Sequence, residues 1–301
     1  MIEYHNPVLL NESVDGLNIV PEGIYVDLTY GSGGHSKEIL KRLKGGKLIA
    51  FDQDIEAKQN AINDKRFVFI NGNFRFFKNF LLYLGFVQVN GIIADLGVSS
   101  HHFDEKNRGF SFRNSGSLDM RMNSSSKITA AHLVNTLSTE KLSNIFFTFG
   151  EIHNSRNVAA LIEKVRNSKP IVTTFDLCDA LLPLTPKGKE NKFLAKVFQA
   201  LRIVVNDELN ALSEMLLQTS EMLRADGRLV VITYHSLEDR LVKNYFRSGN
   251  FEGKIKSDLY GNIIGLPFSI INNKVITPNN EEINKNSRAR SAKLRIAKKN
   301  G

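Results

Sequence analysis

The residues best suited to chemistry lie in four short stretches. The first, Asp27-Leu28-Thr29-Tyr30-Gly31-Ser32-Gly33-Gly34-His35-Ser36, puts three glycines within four positions, directly after an apolar alternation at Ile24, Val26 and Leu28. Glycine lets a backbone approach a ligand closely and takes turns that other residues resist. The second is Asp52, which closes another apolar run about 18 residues beyond Gly34, the separation at which a carboxylate accepts hydrogen bonds from both hydroxyls of a ribose. The third, Asp95-Leu96-Gly97-Val98-Ser99-Ser100, and the fourth, Tyr234-His235-Ser236-Leu237-Glu238-Asp239-Arg240, also follow apolar runs. Asp95, Ser99 and His235 are the groups in them able to orient a nucleophile or accept its proton. His35 and the pair His101-His102 lack the His, Cys or Asp spacing that would complete a metal site, so none is expected.

These residues need a frame that brings them together. Strand, glycine loop and helix in succession read as the first turn of a Rossmann-like parallel sheet, with Ser36 expected to cap a helix carrying Ile39, Leu40 and Leu43. Further strands are predicted over 47–51, 67–71, 91–94 and 228–233, and a helix over 55–63; weaker strand signals lie at 268–271 and 294–297. Continuous apolar runs separated by helices indicate a parallel sheet covered on both faces. In such a sheet the ligand crevice lies outside the carboxyl ends of the strands. Asp27 to His35, Asp52, Phe74, Asp95 to Ser100 and Tyr234 to Ser236 all fall there, with Asp52 assigned to a ribose and Phe74 to an adenine face. The last small residue of the dinucleotide fingerprint is replaced by Ser36, and nothing specifically asks for a pyrophosphate. S-adenosylmethionine, which has a ribose and no phosphate, therefore fits the loop better than NAD does.

The sheet rhythm breaks between the fourth and fifth strands. Residues 1–103 and 206–301 are expected to form a discontinuous α/β domain, and 104–205 an inserted helical subdomain, the expected place of substrate recognition. Its helices are marked by Leu142, Ile145, Phe146 and Phe149, by Val158, Leu161, Ile162 and Val165, and by Leu177 and Leu181, the last capped by Thr173 or Thr174. Asp226-Gly227 is expected to end the helix that carries Leu209 to Leu223, and Ser236 with Asp239 reads as a capping box. Residues 272–286 read as a flexible loop, and residues 1–22 as a segment lying across the mouth of the sheet.

The chain has 301 residues and a formal net charge of +9, which favours an anionic partner such as nucleic acid. Seven basic residues and no acidic one fall between Lys285 and Lys299. A single cysteine, Cys178, excludes an internal disulfide. No apolar run reaches the ~20 residues of a membrane span and no signal-peptide pattern opens the sequence. The expectation is a cytoplasmic protein without a membrane partner.

Taken together these motifs resemble the bacterial ribosomal RNA small subunit methyltransferase H family, also called MraW. The likeness runs through His5 to Leu10, Asp27 to Ser36, Ala50 to Asp52, Asp95 to Ser100, Arg108 to Phe112, Leu118 to Met122, Phe198 to Leu209, Tyr234 to Arg240 and Ser287 to Ala297. It implies a class I S-adenosylmethionine-dependent methyltransferase fold with a helical insertion. The implied reaction is methylation of a cytidine N4 in the decoding region of small-subunit (16S) rRNA. It also implies cofactor contacts from Gly33, Gly34, His35, Asp52, Phe74, Asp95 and His102, the last standing where the family commonly has Gln. Tyr30, Ser117, Lys196 and Ser287 are further departures. Asp95, Ser99 and His235 are the expected catalytic groups. The target base is expected to be splayed against Phe110 or Phe112, and Arg288, Arg290 and Lys293 to grip the RNA backbone. The partner is the rRNA or the assembled small subunit, with the oligomeric state open. A NAD-dependent oxidoreductase would share the glycine loop and Asp52. A non-catalytic RNA-binding protein would explain the charge but leave the crevice residues unused.

Overall fold

The computed structural model describes residues 7–98, 103, 105–261 and 263–301. The chain divides into two compact units, one formed by Met1–Gly97 with Leu209–Gly301 and the other by Val98–Glu208.

The first unit is built on seven strands: β1 (Ile24–Asp27), β2 (Lys47–Asp52), β3 (Phe67–Asn71), β4 (Val89–Asp95), β5 (Leu223–Thr233), β6 (Phe268–Ile270) and β7 (Lys293–Lys299). They lie in the order β3-β2-β1-β4-β5-β7-β6. The first five are mutually parallel, and β7 runs antiparallel to both of its neighbours. Side chains alternate across a strand, so each apolar run feeds both faces. Val26, Ile49, Ile92 and Val231 pack under helices α3 (Phe77–Tyr83), α9 (Glu208–Met222) and α10 (Ser236–Ser248), against Phe77, Leu216 and Phe246. Tyr25, Leu48, Ile93 and Val230 pack under α1 (Leu10–Gly16) and α2 (Gly34–Arg42), against Val14, Ile39 and Leu40. Along the central strands β1, β2, β4 and β5 both faces are therefore largely dry. The carboxyl ends of these strands are where a sheet of this kind receives a ligand.

Several local expectations are corrected. The cap of α2 is Gly33, in the left-handed region at φ 79°, while Ser36 sits inside the first turn and donates to Asp27. The predicted helix at 55–63 is a shorter 3-10 turn, Ile55–Asn60, capped by Asp54. Asp226-Gly227 does not end a helix. α9 stops at Met222, and Asp226, at φ 63°, lies where the β4–β5 register shifts between Val89 and Gly91, an irregularity that needs a turn-forming residue within a strand. The capping box of α10 belongs to His235 and Glu238, one residue earlier than Ser236 and Asp239. Within 272–286 stands a short helix, α11 (Asn280–Lys285), capped by Asn279, and Ile276 bridges to Leu294.

The second unit holds α4 (Ala130–Thr136), α5 (Thr139–Gly150), α6 (Ser155–Arg166), α7 (Thr174–Leu181) and α8 (Glu190–Asn206). Thr173, not Thr174, caps α7 through a complete capping box with Asp176. The apolar stripes close on a core of their own, including Leu133, Phe146, Ile162, Leu177 and Leu201. Leu118 to Met122 is an ordered loop: Asn206 accepts from the Met122 N–H at 2.7 Å and donates to the Met120 carbonyl at 2.8 Å. Among the described residues, no helix is long and apolar enough to cross a membrane.

Candidate active site

The β1 end is an acidic turn. Asp27 is 2 % exposed, and its carboxylate accepts from Ser36 Oγ at 2.7 Å and from the Thr29 N–H at 3.1 Å. Burial nevertheless pushes its pKa up to about 6. Thr29 Oγ1 in turn accepts the Asp95 N–H at 2.6 Å, tying the loop after β1 to the end of β4. Tyr30, the departure inside the glycine loop, is buried between Phe67 and Phe69, with ring centroids 5.4 Å from each. Its hydroxyl donates to the Asn60 carbonyl, and Asn60 donates back to the Gly31 carbonyl at 3.3 Å. Tyr30 thus pins the loop to the 3-10 turn beside β2.

The N-terminal segment covers this loop. Pro7 approaches Gly34 so closely that a Cβ there would lie 2.0 Å from the proline ring, which explains why this position takes no side chain. The Val8 carbonyl lies 3.2 Å from His35 Nε2, and the Leu9 N–H donates to Glu282 of α11 at 2.7 Å. His35 is buried, and its pKa is pushed down to about 4 by loss of solvent, so it is neutral at physiological pH.

At the end of β2, Asp52 is half-buried. It accepts the Gly31 N–H on Oδ2 and the Asp54 N–H on Oδ1, both at 2.8 Å. A carboxylate held in this way presents two acceptors at a strand end, the arrangement that matches the two hydroxyls of a ribose. Phe74 follows β3 in a 3-10 turn, partly buried against the core beneath the sheet.

Asp95, at the end of β4, is 23 % exposed and accepts from the Tyr234 hydroxyl at 2.8 Å. Burial raises its pKa to about 7, and the negative charges of Asp27 and Glu238 add to the rise. Gly97, at φ 98°, then turns the chain, and a Cβ there would meet the Tyr234 ring at 3.4 Å. His235 caps α10: its Nδ1 accepts the Glu238 N–H at 3.4 Å, and its Nε2 stands 3.1 Å from Glu238 Oε1. Three carboxyl groups thus gather at this end of the sheet, Asp27 and Glu238 buried and Asp95 partly exposed.

Other predicted site residues fall elsewhere. Phe110 is corrected: it is 5 % exposed in the core of the helical unit, so as placed it packs that unit and offers no face on which a base could stack. Phe112 is partly buried and meets Phe198 edge-on, with centroids 5.6 Å apart. Lys293 is held 3.1 Å from Asp239, which also pairs with Arg295 at 2.7 Å. Arg288 and Arg290 are exposed on a 3-10 turn, Ser287–Ser291, anchored by buried Ala289 and Ala292. Ser99 and His102 lie outside the described residues. The sequence reading missed Tyr234 as a partner of Asp95. The available signal was its place directly after β5, because the parallel register sets Asp95 beside Ile232.

A parallel sheet of this strand order, closed by one reversed strand and carrying a glycine loop, a β2 aspartate and an acidic β4 end, is a Rossmann-like methyltransferase fold. The chain belongs to the MraW methylase family, which it matches over residues 3–300. It is 58 % identical to the ribosomal RNA small subunit methyltransferase H of Phocaeicola vulgatus, over 98 % of this chain and 97 % of that protein. It is 56 % identical to the protein of the same name from Bacteroides thetaiotaomicron, over 99 % of this chain and 98 % of that one.

Proposed function

We propose that this protein is an S-adenosylmethionine-dependent methyltransferase of small-subunit ribosomal RNA, and that its target is the N4 amine of a cytidine in the decoding region. The observation that carries the reading is a ribose-type carboxylate, Asp52, at the end of β2 together with a second carboxylate, Asp95, at the end of β4, whose acidic neighbours are Asp27 and Glu238. S-adenosylmethionine supplies a methyl group on a positively charged sulfur. Asp52 is suited to the ribose, Phe74 to the adenine face, and the Gly33-Gly34-His35 turn to close backbone approach. The carboxylates of Asp27 and Asp95 favour the positive charge. The exocyclic amine of cytosine is a weak nucleophile because its lone pair is delocalised into the ring. Asp95 can hold that amine in line and take its proton, a contribution that positioning and general-base catalysis make together. Relatives that carry the name ribosomal RNA small subunit methyltransferase H support the RNA class.

Mass-spectrometric mapping of methylcytidine in small-subunit rRNA, from cells with and without the protein, tests the reading. Loss of one N4-methyl mark with the protein is expected. An unchanged set of marks overturns it.

The exposed arginines of the C-terminal turn give a second test. Arg288→Ala with Arg290→Ala is expected to weaken RNA binding and flatten its salt dependence by about 0.7–0.9 in log–log slope per lost phosphate contact, with cofactor affinity unmoved. Lys293 is left intact in this variant because its ammonium helps hold Asp239. An unaltered slope would mean that this turn only packs the end of the sheet.

A further inference from the structure

We infer that Tyr234 is a positioning residue for methyl transfer: its hydroxyl fixes Asp95 through Oδ1 and leaves Oδ2 as the atom that takes the proton released by the target amine. The inference rests on the functional reading above and adds a residue to it.

Two hydrogen bonds hold Asp95 in place. Its main-chain N–H is given to Thr29 Oγ1 at 2.6 Å, and its Oδ1 accepts from Tyr234 at 2.8 Å. Tyr234 is itself held, because its N–H donates to Glu238 Oε2 at 2.9 Å in the first turn of α10. Burial and the charges of Asp95 and Glu238 raise the phenol pKa well above its ordinary value, so this hydroxyl is a donor throughout the working pH range. Oδ1 is therefore engaged by a donor that is itself held in place.

The other oxygen faces a bare nitrogen. Asp95 Oδ2 lies 4.0 Å from His35 Nδ1. His35 Nε2 lies 3.2 Å from the Val8 carbonyl, which can only accept, so the ring proton belongs on Nε2 and Nδ1 carries a lone pair. A proton arriving on Oδ2 thus points toward an acceptor. The ionisable groups facing Asp95 are Asp27 from β1, His35 from α2, Tyr234 from the end of β5 and Glu238 from α10. His35 is neutral and Tyr234 protonated, so the charged neighbours are both acidic. Burial, with these two charges adding to it, raises the carboxyl pKa to about 7, where a general base works best. In the step, the amine lone pair forms the N–C bond as the S–C bond breaks with its pair passing to sulfur. The N4 proton moves to Asp95 Oδ2, and the carboxylic acid later returns it to water.

The test is Tyr234→Phe, which keeps the ring and removes only the donor. A hydrogen bond to a carboxylate favours the charged form, so losing it raises the Asp95 pKa. In the ligand-free protein, the 13Cγ resonance of Asp95, identified by its loss in Asp95→Asn, is expected to titrate about one to two pH units higher than in wild type. In single-turnover transfer to small-subunit rRNA with saturating cofactor, the acidic limb is expected to move up by the same amount. The rate at pH 7 should fall about tenfold or more, with cofactor Kd within about threefold and circular dichroism confirming the fold. An unmoved carboxyl midpoint beside an active wild type overturns this inference alone. A wild type inert toward the rRNA overturns the functional reading, and with it the role of Tyr234 in transfer.

Discussion

Asp95→Asn is expected to slow single-turnover methyl transfer by about a hundredfold or more, the range for losing a general base, while cofactor affinity falls far less. The substitution is close to isosteric. Its amide oxygen still accepts from Tyr234, and its amide nitrogen can face the bare Nδ1 of His35, so the local geometry survives. What disappears is the capacity to accept a proton and the negative charge beside the developing cation. Interactions that strengthen only in the transition state act on the rate and not on binding. The assay is rapid-quench transfer to rRNA at saturating cofactor. A rate within about threefold of wild type, near 0.65 kcal/mol, would leave Asp95 as a cofactor ligand only. His235 would then be the next group to test, although its ring is already occupied with capping α10.

The second large effect belongs to Asp52. Asp52→Ala is expected to weaken S-adenosylmethionine binding by about 1.5–3 kcal/mol, the span for hydrogen bonds to a charged group. Part of that loss is indirect, because the same carboxylate orders the Gly31 and Asp54 amides. Asp52→Asn separates the two contributions: it retains one acceptor oxygen and should recover part of the affinity. Calorimetry on folded protein decides the matter. Equal affinity for wild type and Asp52→Ala would remove Asp52 from the cofactor site.

Much of this site was legible in the order of residues along the chain. β3 was predicted at its observed bounds because four apolar residues, Phe67 to Ile70, stand between polar, turn-forming stretches and end on Asn71. Asp52 was readable for the same reason, as the polar residue that stops a buried strand. The failures share a cause. Asp226-Gly227 is locally a turn, and nothing local reveals that β4 holds it inside a strand. Ser36 has the chemistry of a helix cap, but the buried carboxylate of Asp27, nine positions away in sequence, claims its hydroxyl. Phe110 looks like a stacking platform until the core of its unit closes over it. Tyr234 is a strand-end aromatic until the sheet brings Asp95 against it. Short-range pattern marks elements and strand ends; the partners that tune them come from distant sequence.

The strand order also has a consequence for biosynthesis. β4 and β5 are neighbours in the sheet, yet the entire helical unit is translated between them. A growing chain therefore presents β1 to β4 with the β4 edge unpaired, then releases a segment rich in local helical contacts that can become compact early. The open edge waits through all of that synthesis, the condition under which nascent sheets recruit wrong partners. A polypeptide stalled just short of Leu223 already contains the glycine loop, Asp52 and Asp95. It has no strand to cover β4 and no phenol to hold the Asp95 carboxylate, so the crevice is assembled only when the late-made strands arrive.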